Sequence, residues 1–259
     1  MQDYPLVTII TVVFNGKRTL EETIISVINQ SYKNMEYIII DGNSTDGTLD
    51  IIKKYEEKIH YWVSEPDKGI YNAMNKGIDR ANGEWINFMN SGDKFYSTTT
   101  LQEVFEKNNT PESDIIYGDA LLIYDFGSYV KKARPLETML TQLPFSHQAS
   151  FVKSRLIKAI KFDESYISSG DYQFFYNSYL SKHIFFYVSI VIAEYYAEQG
   201  ISSNFRLVQR EDGKIKGLDK KPGFKIILGV NYMIYLFKLI FKKNLPRNLV
   251  TKLRRWKNK

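Results

Sequence analysis

The sequence predicts an open α/β sheet, mostly parallel and covered by helices on both faces. Three observations carry this. Apolar runs of strand length alternate with segments of helical spacing through about residue 125. The first two runs, "LVTIITVVFN" and "MEYIIIDG", are continuous rather than alternating, as befits strands buried on both faces. A chain of 259 residues, 44% hydrophobic and 15% aromatic, can fill one sizeable core and is not disordered.

The elements follow in order. After the first run, Leu20, Ile24, Val27 and Ile28 recur at helical spacing. After the second, "STDGTLDIIKKYEEK" opens on a cluster suited to capping a helix. "IHYWVSE" reads as a third strand, "IYNAMNKGIDRA" as a third helix and "EWINFMN" as a fourth strand. "TTTLQEVFEKN" reads as a helix and "DIIYGDALLIY" as a fifth strand. The second half is less regular. "FSHQASFVK" predicts a strand, "SGDYQFFYNSYLSK" a helix and "IFFYVSIVIAEYYA" a long strand. The chain divides into a body, 1–211, with halves at about 1–125 and 126–211, a Gly/Lys/Pro-rich linker, 212–223, and a tail, 224–259.

Cysteine is absent, which excludes disulfides and thiolate metal sites. With three histidines, a multi-His zinc site is not expected. The N-terminus lacks a basic segment followed by an apolar one, so no signal peptide and a cytosolic setting are expected. The formal charge of +6 hides an asymmetry. Residues 214–259 hold 14 Lys/Arg against Asp219 alone, while the rest holds 21 Lys/Arg against 28 acids. A basic tail on an acidic body implies a polyanionic partner.

In open α/β sheets, ligands bind beyond the carboxyl ends of the strands. Those ends read Phe14-Asn15-Gly16, Asp41-Gly42-Asn43-Ser44, Glu65-Pro66-Asp67-Lys68 and Asn90-Ser91-Gly92-Asp93. Singly, each is also an ordinary turn or cap, and for Asn43, Ser44 and Thr45 capping weighs as much as ligand contact. Together they predict one polar crevice. Asp93 suits a hard divalent cation shared with phosphate oxygens, and Lys68, with Lys76, suits an anion. Neither a dinucleotide fingerprint nor a P-loop is present.

The ordered set "VTIITVVFNG", "IIIDGNSTDGT", "SEPDKGIYNAMNKGI" and "INFMNSGD" resembles the family 2 glycosyltransferases of the GT-A fold, especially bacterial enzymes of surface-polysaccharide synthesis. The likeness is strong over residues 5 to about 125 and looser to about 205. It implies a Rossmann-like sheet and an inverting transfer from a nucleotide sugar, most simply a UDP-sugar. It places Phe14, Asn15 and Asp41 at the base, Lys68 and Asn72 at the ribose or diphosphate, and Asn43 within the nucleotide-sugar site. Asn90 and Asp93 stand at the Asp-x-Asp element, with Asp93 binding Mn²⁺ or Mg²⁺. Two positions depart from the pattern: Asn90 replaces the first carboxylate, and Asn72 stands where relatives often carry Asp.

Sugar transfer to a hydroxyl also needs a proton acceptor. The family's base falls on Asp171 in "SSGDYQFF"; Asp163 and Glu164 are the alternatives, and a Ser-x-Asp helix start is by itself ordinary capping. His147, in "FSHQASF", is either a satisfied core histidine or, as in similar His-Gln stretches of this branch, near the acceptor or diphosphate. His60 and His183 read as structural. "EQGISS" (198–203) is a closing loop or a turn.

The tail has an apolar stretch, 224–241, interrupted by Lys225, Asn231 and Lys238, and followed by Lys242, Lys243, Arg247 and "KLRRWKNK" with Trp256. That is marginal for a spanning helix. It suits a basic amphipathic helix lying on anionic lipid at the cytoplasmic face of the inner membrane, and hence a lipid-linked glycan acceptor such as a polyprenyl diphosphate. A helix packed on the body is the alternative; a nucleic-acid arm is not expected at this apolar content. Competing functions are a non-catalytic membrane-bound scaffold with a decayed site and, less well matched, a sugar nucleotidyltransferase.

Overall fold

A computed structural model describes residues 4–107, 112–125, 127–197 and 203–244, with side chains through 237. The loop 198–202 and the basic stretch beyond Asn244, with Arg247 and Trp256, lie outside the described residues.

Strand β1 (Val7–Val13) is buried along its whole length. It pairs in parallel with β2 (Met35–Asp41), from Val7↔Met35 to Val13↔Asp41. On its other side it pairs in parallel with β4 (Trp85–Phe88), from Val7↔Trp85 to Ile10↔Phe88. Strand β3 (Tyr61–Ser64) extends β2, again in parallel. Alternate residues supply two layers. Ile9, Val13, Tyr37 and Ile39 pack with Leu20, Ile24 and Val27 of α1 (Leu20–Ile28). Ile10, Val12, Ile38 and Ile40 pack with Tyr71, Met74 and Ile78 of α3 (Ile70–Arg80). This explains the unbroken apolar runs: neither face of β1 or β2 meets water.

The second half adds antiparallel strands, so the sheet is mixed. Its order is β3–β2–β1–β4–β8–β6–β9–β5, with β7 also paired to β6. Strand β8 (Ser150–Lys153) runs antiparallel to both β4 and β6 (Ile115–Tyr124). Strand β9 (Phe185–Tyr196) runs parallel to β6, while β7 (Gly127–Lys131) and the two-residue β5 (Lys94–Phe95) are antiparallel additions. Between β7 and β8 the chain holds two 3₁₀ turns, Leu136–Leu140 and His147–Ala149, and no crossover helix. Strands β7 and β8 both run antiparallel to β6, and so in the same direction as each other, at successive stretches of it.

Three local expectations change. The strand expected across "FSHQASFVK" is confined to Ser150–Lys153, because the buried Asn87 donates from Nδ2 to the carbonyls of Gln148 (2.9 Å) and Ser150 (2.8 Å). The helix after residue 99 is one turn, α4 (Thr100–Gln102), continuing as a π turn through Lys107. Helix α2 (Thr48–Lys54) starts after Gly47 in a left-handed conformation, with no side-chain cap from Ser44 or Thr45.

Helices α5 (Ser154–Ile160) and α6 (Gly170–Leu180) lie between β8 and β9. Helix α7 (Phe205–Ile215) runs four residues into the stretch read as a linker, and α8 (Phe224–Asn244) packs against it. The rings of Phe205 and Tyr235 stack at 4.3 Å, Arg206 lies 4.5 Å over Tyr232, and Asn231 donates to Gln209 at 3.0 Å. The opposite face of α8 presents Ile226, Ile227, Val230, Met233, Ile234 and Phe237 exposed. No helix among the described residues is long and apolar enough to cross a membrane.

Entry to β4 depends on one glycine. Gly83 donates to Thr8 Oγ1 at 2.8 Å, and a Cβ there would lie 2.6 Å from the Thr8 backbone nitrogen. Since backbone must move, Gly83→Ala should destabilise the fold by about 1–3 kcal/mol or more. The expected outcome is a lower denaturant midpoint at unchanged m-value.

Candidate functional site

The strand order reverses between β1, which leads through α1 to β2, and β4 on its other side. A crevice beyond that point is where α/β sheets bind ligands. The ends of β1, β2 and β4 all reach it.

At the end of β1, Phe14 is 65% exposed and Asn15 adopts φ 51°. The Asn15 backbone N–H donates to Ser44 Oγ (2.7 Å), and its Oδ1 accepts from the Thr45 N–H (3.0 Å). Asp41 ends β2 fully buried. Its carboxylate accepts from the Ser44 N–H (2.9 Å), the Ser44 hydroxyl and the Ser64 hydroxyl (2.6 Å). Ser44 is therefore a brace between two strand ends, not a helix cap. Two of Asp41's donors are hydroxyls, which rotate readily and leave the carboxylate able to exchange partners. Asn43 is exposed with φ 68°. Gly42 is bare because Asp67 and Phe14 close over it: a Cβ there would lie 2.3 Å from Asp67 Oδ2.

After β3, the exposed ammonium of Lys68 has no ion pair among the described residues. Lys76 is committed, to Glu65 at 2.8 Å and to the Pro66 carbonyl at 2.8 Å, so it is not a free anion site. Asn72 accepts from the Lys68 N–H at 3.2 Å and donates to Glu164 at 3.0 Å. Asn75 donates to the other Glu164 oxygen at 3.0 Å and to the Phe162 carbonyl at 2.9 Å. Glu164 is thereby tied to α3, and Asp163 accepts from the Ser165 N–H at 2.9 Å. Neither alternative base stands free.

The end of β4 meets the second half. The Asn90 amide lies 3.3 Å from His147 Nε2, and toward a charged imidazole, a donor at both nitrogens, its oxygen is the end that accepts. His147 Nδ1 lies 3.1 Å from Asp171 Oδ2 at the start of α6. The other Asp171 oxygen accepts from the Tyr71 hydroxyl (3.1 Å) and the Tyr172 N–H (2.8 Å). Gln148 Nε2 donates to Asp93 Oδ1 at 3.2 Å. Asn90, His147 and Asp171 thus form one chain of polar contacts from β4 to α6, and Asp93 stands beside it, held by Gln148, the residue after His147.

Charges in this chain are set by opposing effects. Burial pushes the Asp93 carboxyl up to about 6, only partly offset by the charge of His147 and the Gln148 amide. Burial pushes Asp171 up too, but the His147 bond and charge, with the Tyr172 N–H and Tyr71 hydroxyl, hold it below its ordinary value. Burial lowers His147, yet the Asp171 carboxylate and the Asp93 charge hold it above the usual imidazole range. His147 and Asp171 favour an ion pair; Asp93 is an anion short of positive partners. His60 and His183 serve structure, His60 accepting from the Tyr37 N–H and His183 meeting Asp114.

Among the described residues no group of three or more His or acidic side chains could hold a metal alone. Asp93 suits a cation that takes its remaining ligands from phosphate oxygens and water, the usual Mg²⁺ arrangement. Sequence reasoning missed Tyr71, Ser64 and Gln148 as site residues. Tyr71 falls on the apolar stripe of α3, and nothing local marks its hydroxyl for Asp171, one hundred positions away.

The fold is shared with solved GT-A structures. Staphylococcus aureus TarS residues 1–349, in complex with UDP-GlcNAc, matches with a TM-score of 0.66 at 21% identity, over 81% of this chain and 66% of that one. The chain belongs to glycosyl transferase family 2, whose sequence profile matches residues 8–184. A PGL/p-HBAD biosynthesis glycosyltransferase of Mycobacterium bovis is 28% identical over 237 residues, 86% of this chain and 89% of the relative. A putative teichuronic acid biosynthesis glycosyltransferase of Bacillus subtilis, TuaG, is 43% identical over 94 residues, 35% of this chain and 37% of that protein. This chain spans just under two thirds of the TarS fragment but most of the mycobacterial relative.

The ion pair gives a direct test. Asp171→Asn should lower the titration midpoint of His147, because burial then acts without its opposing carboxylate. With three histidines in the chain, the imidazole NMR signals resolve this.

Proposed function

We propose that the chain is an inverting glycosyltransferase of hexosyltransferase type. It moves a sugar from a nucleotide donor, UDP-linked, to a lipid-linked glycan during surface-polysaccharide synthesis. The observation that carries this is the polar chain from Asn90 through His147 to Asp171, with Asp93 held beside it by Gln148. It joins a candidate donor crevice to a buried carboxylate in the second half, as transfer between two substrates requires.

In this reading Phe14, Asn15 and Asp41 receive the base, Lys68, Asn72 and Asn90 the ribose and diphosphate, and Asn43 lines the same nucleotide-sugar site. Family membership carries divalent-metal use as a general property. Mn²⁺ or Mg²⁺ held by Asp93 would neutralise the leaving diphosphate. Asp171, paired with His147, takes the acceptor's hydroxyl proton. The acceptor oxygen bonds to the anomeric carbon as its bond to the diphosphate oxygen breaks, so an α-linked donor gives a β-linked product. Asn90 lowers the negative charge beside the diphosphate. A decayed scaffold is not favoured, because the sequence retains Asp41, Asp93 and Asp171. The body, 1–211, is the catalytic unit, its halves serving donor and acceptor.

The exposed apolar face of α8, with Lys225 on its flank and the basic sequence beyond, supports seating on anionic lipid. That makes a peripheral enzyme of the inner membrane's cytoplasmic face, with its acceptor in the bilayer.

Calorimetric titration with UDP-, GDP- and dTDP-sugars in Mn²⁺, Mg²⁺ or chelator should show one donor binding only with metal. Asp93→Ala should cut metal-dependent donor hydrolysis at least about a hundredfold, since metal stabilisation of developing charge is worth several kcal/mol. No binding across the panel by folded protein would sink the reading. Separately, replacing Ile226, Met233 and Phe237 with Ser should release the chain from phosphatidylglycerol vesicles in co-sedimentation, each buried side chain contributing about 1.5–3 kcal/mol. Unchanged co-sedimentation would remove the membrane from the proposal.

A further inference from the structure

Glu211 is a buried acid that the chemistry above does not use. It lies on α7, 5% exposed, and faces the segment leading into α6. Its Oε1 accepts from the Ile167 N–H at 2.8 Å. Its Oε2 accepts from the N–H groups of Ser168 at 2.9 Å and Ser169 at 2.8 Å. Ser169 holds the N-cap position of α6, yet its hydroxyl makes no cap; it donates to Asp212 at 2.9 Å. The start of α6 is therefore gripped from outside by two successive carboxylates of α7. Two residues further on stands Asp171. A carboxylate meeting three backbone donors is a stiff, charge-assisted clamp, and its negative charge suits a helix N-terminus.

We propose that Glu211 is a positioning residue for Asp171. It fixes residues 167–169, and through them the first turn of α6, so that the Asp171 carboxylate meets His147. Asp171 itself takes few outside restraints: one hydroxyl, one imidazole and the N–H of its own neighbour. The clamp supplies the rest. It also has a second attachment. Helix α8 is pinned to α7 where Phe224 covers Gly213, a position at which a Cβ would lie 2.1 Å from the ring. The tail helix thereby braces the clamp.

The inference rests on the transferase reading for its kinetic consequence, not for its structural one. Glu211→Gln keeps the shape but turns an NH₂ toward backbone donors. A matched control is Glu36→Gln: Glu36 also holds backbone and side-chain donors, of Asn82 and Thr8, but near the start of β2, away from the site. With the donor that binds from the UDP-, GDP- and dTDP-sugar panel, Glu211→Gln should lower kcat for nucleoside diphosphate release at least tenfold, with donor KM within twofold. The His147 imidazole resonance should move, and the amides of 167–169 should exchange faster. Glu36→Gln should lower thermal stability and leave kcat and the His147 resonance in place. Should Glu211→Gln not fold, Glu211→Asp draws the charge back by one methylene and should lower kcat at least threefold at the same KM. A kcat within twofold of wild type, or an equal loss in Glu36→Gln, overturns the proposal. If wild type turns over no donor, the transferase reading fails; an unmoved His147 resonance in Glu211→Gln then overturns this one independently.

Discussion

Everything in the site depends on β1 being paired in parallel on both sides. Because Val7 meets Met35 on one flank and Trp85 on the other, three strands leave the sheet at the same edge. Asn15, Asp41 and Asn90 are thus brought together by backbone register, before any side chain interacts. Register is strongly specified here, since a slip of one residue would turn Ile9 and Ile39 out of one layer and into the other. Burial on both faces makes the scaffold stiff, and stiffness lets short polar loops hold geometry.

Onto that edge the chain places charges in unequal company. Asp41 is satisfied by hydroxyls and an N–H, and Asp171 by an imidazole and a phenol. At Asp93, burial outweighs the His147 charge further off, the Gln148 amide and the Asn90 backbone. A buried carboxylate without compensation is costly, so the site is tuned at that one position for something positive. The amides at 72 and 90 fit the same pattern. Each keeps hydrogen-bonding capacity while sparing the crevice another anion that would compete for the same cation or repel a diphosphate.

What was legible in the sequence was what depends on local pattern. Continuous apolar runs identified the parallel strands, and the polar residues ending them marked the crevice. Illegible was what depends on long-range pairing. Nothing around Tyr71 shows that its hydroxyl meets Asp171, nor around Gln148 that it serves Asp93. The strand expected through His147 failed because a side chain from the middle of β4, Asn87, takes the carbonyls a ladder would have used. Glu211 looked like any acid on an amphipathic helix. Helix α2 begins at Gly47 although Ser44 and Thr45 offered caps, because Asp41 and Asn15 had the stronger claim on that loop.

Glu164 binds Asn72 with one oxygen and Asn75 with the other. It sits in the segment that descends to α6, while both asparagines sit on the helix bordering the donor crevice. A ligand that takes the Asn72 amide withdraws one of Glu164's two partners and leaves Asn75 as the hinge. On the proposed reading the two substrates would then be coupled through Glu164, equally in both directions by reciprocity. For a bisubstrate enzyme, that is a physical basis for a preferred order of addition.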